Sequence, residues 1–302
     1  MLAQLLRRIL LLEGLFGAWL GYWLWGSLVV SVVLALLVPM ATLLISVVVS
    51  ALLSRGPESG AHWWRALLGE IVAGVEIFLL RQPWARQAPR YLPSTAGTPR
   101  PPVVLVHGYL CNHRIWDRTI PQLRAQGHAV LAVDLEPVFT SIDDYVPLLE
   151  AAVAAVLLHT GQTQAVLVGH SMGGLAIRAW MRKHGLERVA RVLTLGTPHV
   201  GTKLAKGSYT PNGQQMTWKS PWLATLAQGE DDALRSLLRV AITPQDNIVY
   251  PQRAQTLPGI TPSVFAGIGH LQMCLDPDVN VWVLNQLADL RPAFHSTEPS
   301  HD

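Results

Sequence analysis

The sequence of 302 residues is poor in charge, in lysine and in cysteine. Charged residues make up 14% of the chain, whereas soluble proteins carry about 25%, and the first 100 residues contain no lysine. Two cysteines, Cys111 and Cys274, are too few for a disulfide-stapled scaffold, and no CxxC or Cys/His zinc spacing occurs. We interpret both cysteines as free thiols.

The common cofactor motifs are absent as well. There is no G-x-x-x-x-G-K-[ST] nucleotide loop and no H-E-x-x-H zinc motif, and no G-x-G-x-x-G follows a predicted strand. The net charge is +4 over residues 1–100 and −1 over the rest. The basic excess therefore belongs to the apolar N-terminal portion and does not indicate nucleic-acid binding. We expect no cofactor, no metal ion and no nucleic-acid partner.

One long apolar block covers residues 9–53, where Glu13 is the only charged residue. A single helix of that length would measure about 68 Å, whereas a bilayer core is about 30 Å thick. The block therefore predicts two transmembrane helices, at about 9–24 and 28–53, with a turn near 24–28. Aromatic residues, which prefer the membrane interface, cluster beside that turn at Trp19, Tyr22, Trp23 and Trp25. Residues 1–55 are predicted to form a membrane anchor.

The arginines predict the topology of this anchor. Arg7 and Arg8 precede the first predicted span, Arg55 follows the second, and the turn between the spans carries no basic residue. The positive-inside rule then places both ends, and the domain that follows, in the cytoplasm. One alternative is a cleaved signal peptide, although no A-x-A-like site follows a short apolar core. Another is a single crossing with 9–24 lying in the interface, which would place the domain outside.

A juxtamembrane segment is predicted over residues 56–101. Residues 62–80 carry Glu70 and Glu76 at near-helical spacing among apolar residues, which favours a helix at the membrane surface or one packed on the soluble domain. Residues 81–102 hold six prolines and four arginines, a composition typical of a linker.

From residue 103 onward, apolar runs alternate with helical patterns. Such alternation predicts βαβ units and a mostly parallel sheet flanked by helices, an α/β fold. Strands are predicted at 103–107, 128–135, 164–170, 188–196, 239–244 and 261–269, and helices at 112–127, 141–160, 173–185 and about 278–290.

The segment GHSMGG, residues 169–174, lies between a predicted strand and a predicted helix. A serine hydroxyl becomes a nucleophile when a base removes its proton and when a sharp turn projects it from the backbone. Gly169 and Gly173, two residues on either side of Ser171, relieve the crowding in such a turn. The N–H of Met172 would point at the oxyanion that develops during the reaction. The pattern favours a nucleophile over a small residue in a tight turn.

From about residue 102 to 290 the chain resembles an α/β-hydrolase, in particular the bacterial lipase and esterase branch. His107-Gly108-Tyr109-Leu110 resembles the oxyanion loop of lipases. The resemblance implies that the N–H of Tyr109, or alternatively of Leu110, is the second oxyanion donor. The side chain of His107 is expected to be structural.

The same resemblance implies the other two members of a catalytic triad. Asp246, in ITPQDNIVYP, follows a late strand as the acid of this family does, and His270 follows the last strand. The order Ser171, Asp246, His270 is the order this fold uses. Asp134, Asp231, Asp232, Asp276 and Asp278 are less suitably placed acids, and His113, His128, His170, His184 and His199 are less suitably placed bases.

The segment LTLGTPHVGT, residues 193–202, also resembles lipases, in which it shapes the acyl pocket. The residues about 200–237 that follow are amphipathic enough for a lid, with an ordinary cap helix as the alternative. The catalytic domain is predicted to span 102–294, and 295–302 to be a disordered tail.

The sequence thus predicts an integral protein of a bacterial inner (cell) membrane that hydrolyses carboxylic esters through an acyl-enzyme. Its expected partners are the bilayer and a lipid-like or other ester substrate, and no oligomeric state is predicted. Phospholipase, thioesterase or acyltransferase activity on membrane lipids is one alternative. A non-catalytic, hydrolase-like membrane partner is another.

Overall fold

A computed structural model of the chain describes residues 1–58, 60–86 and 90–294. Its centre is a six-stranded sheet in the order β2-β1-β3-β4-β5-β6, in which every neighbouring pair of strands is parallel. The strands are β1 (Arg100–Val106), β2 (His128–Ala132), β3 (Ala165–His170), β4 (Val189–Leu195), β5 (Leu238–Ile242) and β6 (Ser263–Val264).

Helices precede the sheet and cover both of its faces. The α-helices are α1 (Leu2–Trp25), α2 (Leu28–Leu53), α3 (Gly60–Gly74), α4 (Thr119–Ala125), α5 (Val146–Thr160), α6 (Met172–His184), α7 (Pro211–Gln215), α8 (Pro221–Gln228), α9 (Asp232–Leu237) and α10 (Pro277–Leu287). A π-helical segment, Val75–Arg81, continues α3. The predicted α/β-hydrolase arrangement of a parallel sheet between helices is confirmed.

The central strands read as uninterrupted apolar runs because both of their faces are covered. Val104 and Val106 of β1 pack with α5 and α6 on one face, and Val103 and Leu105 pack with α10 and the segment after α3 on the other. All four side chains are fully buried. This sandwich holds the carboxyl ends of β1, β3, β4 and β5 along one edge, where the following loops meet.

Three predicted elements differ in the structure. The helix expected over 112–127 is a 3-10 turn (His113–Trp116) followed by α4, with Arg114 pairing to Asp117 at the break. The last strand, expected over 261–269, is reduced to β6. The expected linker contributes to the sheet, because Arg100 begins β1 and Leu92 exchanges two hydrogen bonds with Val130 at the edge of β2. The tail predicted for 295–302 lies outside the described residues.

The two N-terminal helices form a tight antiparallel hairpin with its turn where the sequence predicts it. Gly26 ends α1 in the left-handed conformation (φ 60°), and the Ser27 hydroxyl accepts the N–H of Val30 at the start of α2. The helices touch at Gly17, where an added Cβ would lie 2.3 Å from the carbonyl oxygen of Leu34. Within the described ranges, α2 is the one helix long and apolar enough to cross a membrane, by length and composition. The crossing of α1 stays a prediction.

Both free ends of this hairpin contact the catalytic domain, here residues 100–294. The Met1 amine pairs with Glu136 at 2.7 Å. At the other end, the Gln252 amide donates to the carbonyl of Ser54 at 2.9 Å. The ends of α1 and α2 therefore lie on the same side of the hairpin.

The helix α3 packs on both α2 and the catalytic domain through one face and exposes the other. Trp63 is buried against α2 and Glu70 against the loop after His270. Trp64, Leu68 and Val72 form an exposed apolar stripe at helical spacing. Of the two predicted arrangements, packing on the soluble domain is present. Contact of the exposed stripe with a membrane stays a prediction.

Candidate active site

Ser171 occupies a strained turn between β3 and α6. Its backbone has φ 54° and ψ −127°, a conformation that residues with a side chain rarely adopt. A Cβ at Gly169 would lie 2.6 Å from the backbone nitrogen of Gly174, and a Cβ at Gly173 would lie 2.2 Å from the carbonyl oxygen of Val106. The turn can form only because these two predicted positions are glycines.

Asp246 and His270 form a buried hydrogen-bonded pair beyond β5 and β6. Nδ1 of His270 lies 2.8 Å from Oδ2 of Asp246, and both side chains are buried. The other carboxylate oxygen accepts the backbone N–H groups of Ile248 (2.9 Å) and Val249 (2.7 Å). Because a carboxylate only accepts, Nδ1 of the imidazole carries the proton and Nε2 is left as an acceptor.

The environment of His270 favours a protonated ring. Burial lowers the pKa of the imidazole, but the charge and hydrogen bond of Asp246 outweigh burial, and the Glu70 carboxylate acts in the same direction. The pKa of His270 therefore lies above its usual value. Such a shift is typical of a base that must hold a proton temporarily.

The structure brings Ser171 to the same edge of the sheet as this pair. The Ser171 N–H donates to the carbonyl of Leu195 at 2.8 Å. The next residue, Gly196, lies against the pair, since a Cβ there would be 3.2 Å from Oδ2 of Asp246 and from Nδ1 of His270. No hydrogen bond joins the Ser171 hydroxyl to His270 among the described residues.

The loop after β1 lies directly against the serine. A Cβ at Gly108 would be 2.7 Å from Cβ of Ser171. Tyr109 follows, and no described group accepts a hydrogen bond from its N–H or from that of Leu110, which has φ 54°. Met172 is the first residue of α6, so its N–H has no partner within the helix. The predicted oxyanion donors thus have N–H groups available beside Ser171.

Two other buried histidines, His107 and His199, are engaged in structural contacts. His107 bonds the backbone on both ring nitrogens, at the carbonyl of Gly108 (2.8 Å) and the N–H of Leu135 (2.9 Å). Burial lowers the pKa of His107. His199 lies 3.0 Å from the Thr194 hydroxyl. Neither ring is free to act on a substrate.

Ser171 opens into a cavity of about 330 Å³, which we call the Ser171 cavity. Its wall is mainly apolar and includes Leu204, Met216 and Ile248. The side chains of Ser171, Thr202, Lys206, Ser208 and Tyr109 add polar groups to it. This size and composition are typical of sites for small organic ligands. Much of the wall comes from the segment predicted as a lid.

The distal part of that segment packs as a cap helix. Leu223 and Leu226 of α8 are buried in the same core as α6. The indole N–H of Trp222 donates to Asp143 at 2.7 Å. A lid role for 200–237 stays a prediction, and α8 itself is held by core contacts.

Glu70 is a site residue whose role the sequence did not indicate. Its carboxylate is buried and accepts the N–H groups of Leu271 (3.0 Å) and Gln272 (3.1 Å), the two residues after His270. Burial raises the pKa of Glu70 to about 7. This contact joins α3 to the loop that carries the histidine. In the sequence, the only indication of this role is that Glu70 lies among apolar residues in the segment 62–80.

Replacing Glu70 with Gln is expected to lower the pKa of His270 and to move the acidic limb of the kcat/KM profile toward lower pH. His270 can accept a proton only when it is neutral, and the Glu70 carboxylate favours the protonated ring. Glu76→Gln is the control, because Glu76 lies on the continuation of α3 but pairs with Arg81 and Arg118. An equal shift of the acidic limb in the Glu70→Gln and Glu76→Gln variants would contradict the effect of Glu70 on His270.

The same substitution has a signature in stability. Because burial raises the pKa of Glu70 to about 7, the folded protein binds this proton more tightly than the unfolded chain. Its contribution to the free energy of unfolding therefore falls as the pH rises through the window from the ordinary carboxyl pKa to about 7. Between those pH values, the free energy of unfolding of the Glu70→Gln variant is expected to fall less than that of the unmodified protein. Chemical denaturation at several pH values measures this difference.

Comparison with known proteins agrees with this architecture. Residues 101–217 match the family model of the alpha/beta hydrolase fold. A triacylglycerol lipase of Pseudarthrobacter phenanthrenivorans is 35% identical over 120 residues, covering 37% of this chain and 37% of that protein. A pyrethroid hydrolase of Sphingobium wenxiniae is 29% identical over 97 residues, covering 31% and 34%. The chain thus spans about a third of the length of the curated relatives it matches.

Solved structures give the same fold. The lipase BlEst2 of Bacillus licheniformis, in its propeptide form, superposes with a TM-score of 0.56 at 19% identity, covering 69% of this chain and 55% of that one. The parallel sheet, the strained serine turn and the match over residues 101–217 together show that the chain has the α/β-hydrolase fold and is similar to lipases and esterases.

Proposed function

We propose that the protein is a membrane-anchored carboxylic ester hydrolase of the lipase and esterase type. The observation that carries the proposal is the strained Ser171, which opens into an apolar cavity at the edge of the sheet where Asp246 and His270 are paired. Relatives named triacylglycerol lipase and pyrethroid hydrolase support ester substrates.

In the proposed reaction, Nε2 of His270 accepts the hydroxyl proton of Ser171 while the serine oxygen attacks the ester carbonyl carbon. The N–H groups of Met172 and Tyr109 stabilise the oxyanion. His270 then donates the proton to the leaving alcohol oxygen, which leaves an acyl-serine. A water molecule, deprotonated by the same imidazole, releases the acid and restores the serine. Bonds between nucleophile and base are often long in free enzymes and tighten with substrate.

Asp246 has a positioning role in this scheme. Its hydrogen bond to Nδ1 fixes the tautomer of His270 and stabilises the imidazolium that forms. The two backbone N–H groups bonded to its other oxygen hold the carboxylate in place. The carboxylate is therefore held in one orientation through the cycle.

The hairpin is proposed to anchor this domain in a membrane. The helices α1 and α2 have 24 and 26 residues, or about 36 and 39 Å, enough for a bilayer core of about 30 Å. Many of their large apolar side chains are exposed, such as Leu12, Phe16, Leu28 and Leu36. Because both ends of the hairpin contact one domain, two crossings fit the structure better than one.

The arginine pattern supports a cytoplasmic position for that domain. A reporter fused after residue 55 is expected to signal from the cytoplasm, and one fused after residue 26 from outside. An external signal from the fusion after residue 55 would contradict this sidedness.

The full-length protein in lipid nanodiscs is expected to release free acid from acyl esters, with or without an added alcohol acceptor. Water is the acceptor in the proposed reaction, so modest alcohol concentrations should divert a minor share of the acyl groups. The measurement is the ratio of free acid to transferred ester. Dominant transfer would make the protein an acyltransferase, and a folded protein inactive on every ester would be a non-catalytic partner.

A further inference from the structure

A second cavity, the hairpin chamber, lies between the helical hairpin and the catalytic domain. Its volume is about 460 Å³, within the range of ligand pockets in proteins. Leu10 of α1 and Leu43 of α2 line one side, and Leu110 and Ile248 of the catalytic domain line the other. The chamber therefore exists only because the hairpin is docked on the domain.

The hairpin chamber adjoins the Ser171 cavity. Leu204 and Ile248 line both of them. Leu110, which lines the chamber, directly follows Tyr109, which lines the Ser171 cavity. A ligand whose carbonyl carbon lies at Ser171 can thus extend past the shared side chains toward the two N-terminal helices.

The polar side chains of the chamber wall are occupied by protein partners. The Ser50 hydroxyl accepts the amide of Asn247 at 2.9 Å. The Ser46 hydroxyl donates to the carbonyl of Thr42 at 2.8 Å, and the Thr42 hydroxyl donates to the carbonyl of Val38 at 3.0 Å. The wall therefore offers a ligand mainly aliphatic surface, which suits a hydrocarbon chain better than a head group.

The chamber opens toward the exposed surface of the hairpin. Thr42 and Ser46 lie on its lining one turn apart on α2, and both are exposed. Since α2 is the helix apolar enough to cross a membrane, this opening faces the region that lipid would occupy. A chain entering from a bilayer exchanges one apolar environment for another, so little free energy opposes its entry.

We infer that the hairpin chamber binds the hydrocarbon chain of a membrane lipid ester while the ester carbonyl lies at Ser171. This inference rests on the proposed ester hydrolysis and adds to it a binding site built by the anchor itself. The substrate class is accordingly a long-chain acyl ester taken from the bilayer.

Cross-linking tests the site without turnover. The full-length Ser171→Ala variant in nanodiscs is exposed to a palmitoyl ester that carries a diazirine at the end of its chain, and adducts are mapped by mass spectrometry. Adducts on Leu79, Leu110, Ile248 or Leu271, which line the chamber, are expected. Adducts confined to outward-facing positions such as Leu36 would overturn the inference.

Chain-length selectivity tests it with the active protein. Ser46→Trp fills the chamber opening, whereas Ile45→Trp adds the same ring at an exposed neighbouring position that does not line the chamber. Ser46→Trp is expected to lower the ratio of kcat/KM for a palmitoyl ester to that for an acetyl ester by about tenfold or more, and Ile45→Trp to leave this ratio unchanged. An equal palmitoyl-to-acetyl ratio of kcat/KM in both variants would overturn the inference that the chamber binds the acyl chain.

The two proposals fail in different ways. A protein that hydrolyses neither ester but cross-links at the chamber wall would refute the proposed hydrolysis and keep the chamber. A protein that hydrolyses both esters, with no selective effect of Ser46→Trp and no adducts at the wall, would refute the chamber alone. If Ser46→Trp does not fold, the cross-linking result with native Ser46 decides.

Discussion

The Ser171→Ala variant is expected to lose about 10⁴-fold or more in kcat for ester hydrolysis. Removal of the hydroxyl removes the atom that becomes acylated, and the residual rate comes only from substrate binding and the oxyanion donors. Hydrolysis in nanodiscs and covalent labelling by a fluorophosphonate probe measure the two consequences. Hydrolysis and labelling are both expected to fall below the detection limit, while the free energy of unfolding changes little.

The matched control is Ser236→Ala, which removes an exposed hydroxyl from α9. Its hydroxyl bonds only the carbonyl of Ala233, at 2.7 Å, so hydrolysis and labelling are expected to equal those of the unmodified protein. Equal labelling of the Ser171→Ala variant would remove this serine from the reaction, and with it the proposed function.

The Arg178→Met variant is expected to destabilise the protein by about 3–5 kcal/mol. Arg178 lies in α6, is fully buried, and holds Glu230 through two hydrogen bonds of 2.6 and 2.9 Å. It also donates to the carbonyl of His199 at 3.1 Å. Its removal would leave a buried carboxylate without a partner. Thermal denaturation of the full chain should show a midpoint lower by about 10 °C.

The control for this effect lies one turn further along the same helix. Arg182 pairs with Asp143 at 3.0 Å but is partly exposed, so Arg182→Met is expected to cost no more than about 1 kcal/mol. In the double variant Arg178→Met/Glu230→Leu both charges are absent, and most of the lost stability should return. Similar losses in the Arg178 and Arg182 variants would contradict the importance of burial.

The candidate active site at the edge of the sheet could be predicted because its signals are local. The turn at Ser171 needs glycines at fixed offsets, and β3 and α6 on either side have clear periodicities. Asp246 and His270 follow recognisable strands, and the structure pairs them as the resemblance implied. The turn of the hairpin was predictable for the same reason, since Gly26 and Ser27 carry the local chemistry that ends one helix and begins the next.

The features that could not be predicted depend on contacts distant in sequence. The bond between Glu70 and the loop after His270 joins residues 201 positions apart, and no periodicity records it. The apolar pattern of 261–269 does not show that only Ser263 and Val264 pair with β5, because strand length depends on the neighbouring strand. The break within 112–127 depends on Asp117 and Arg114 bonding each other, a choice that helical periodicity does not determine.

The docking of both hairpin ends has a consequence for the proposed hydrolysis of lipid esters. A domain joined to its membrane anchor by a flexible linker can lie at many distances from the bilayer. Here the Met1–Glu136 and Gln252–Ser54 contacts hold the domain at the open end of the hairpin, opposite the turn. In the proposed membrane-anchored arrangement, Ser171 is held at a fixed depth relative to the lipid, so the position of the ester bond along a lipid molecule would decide which esters reach it.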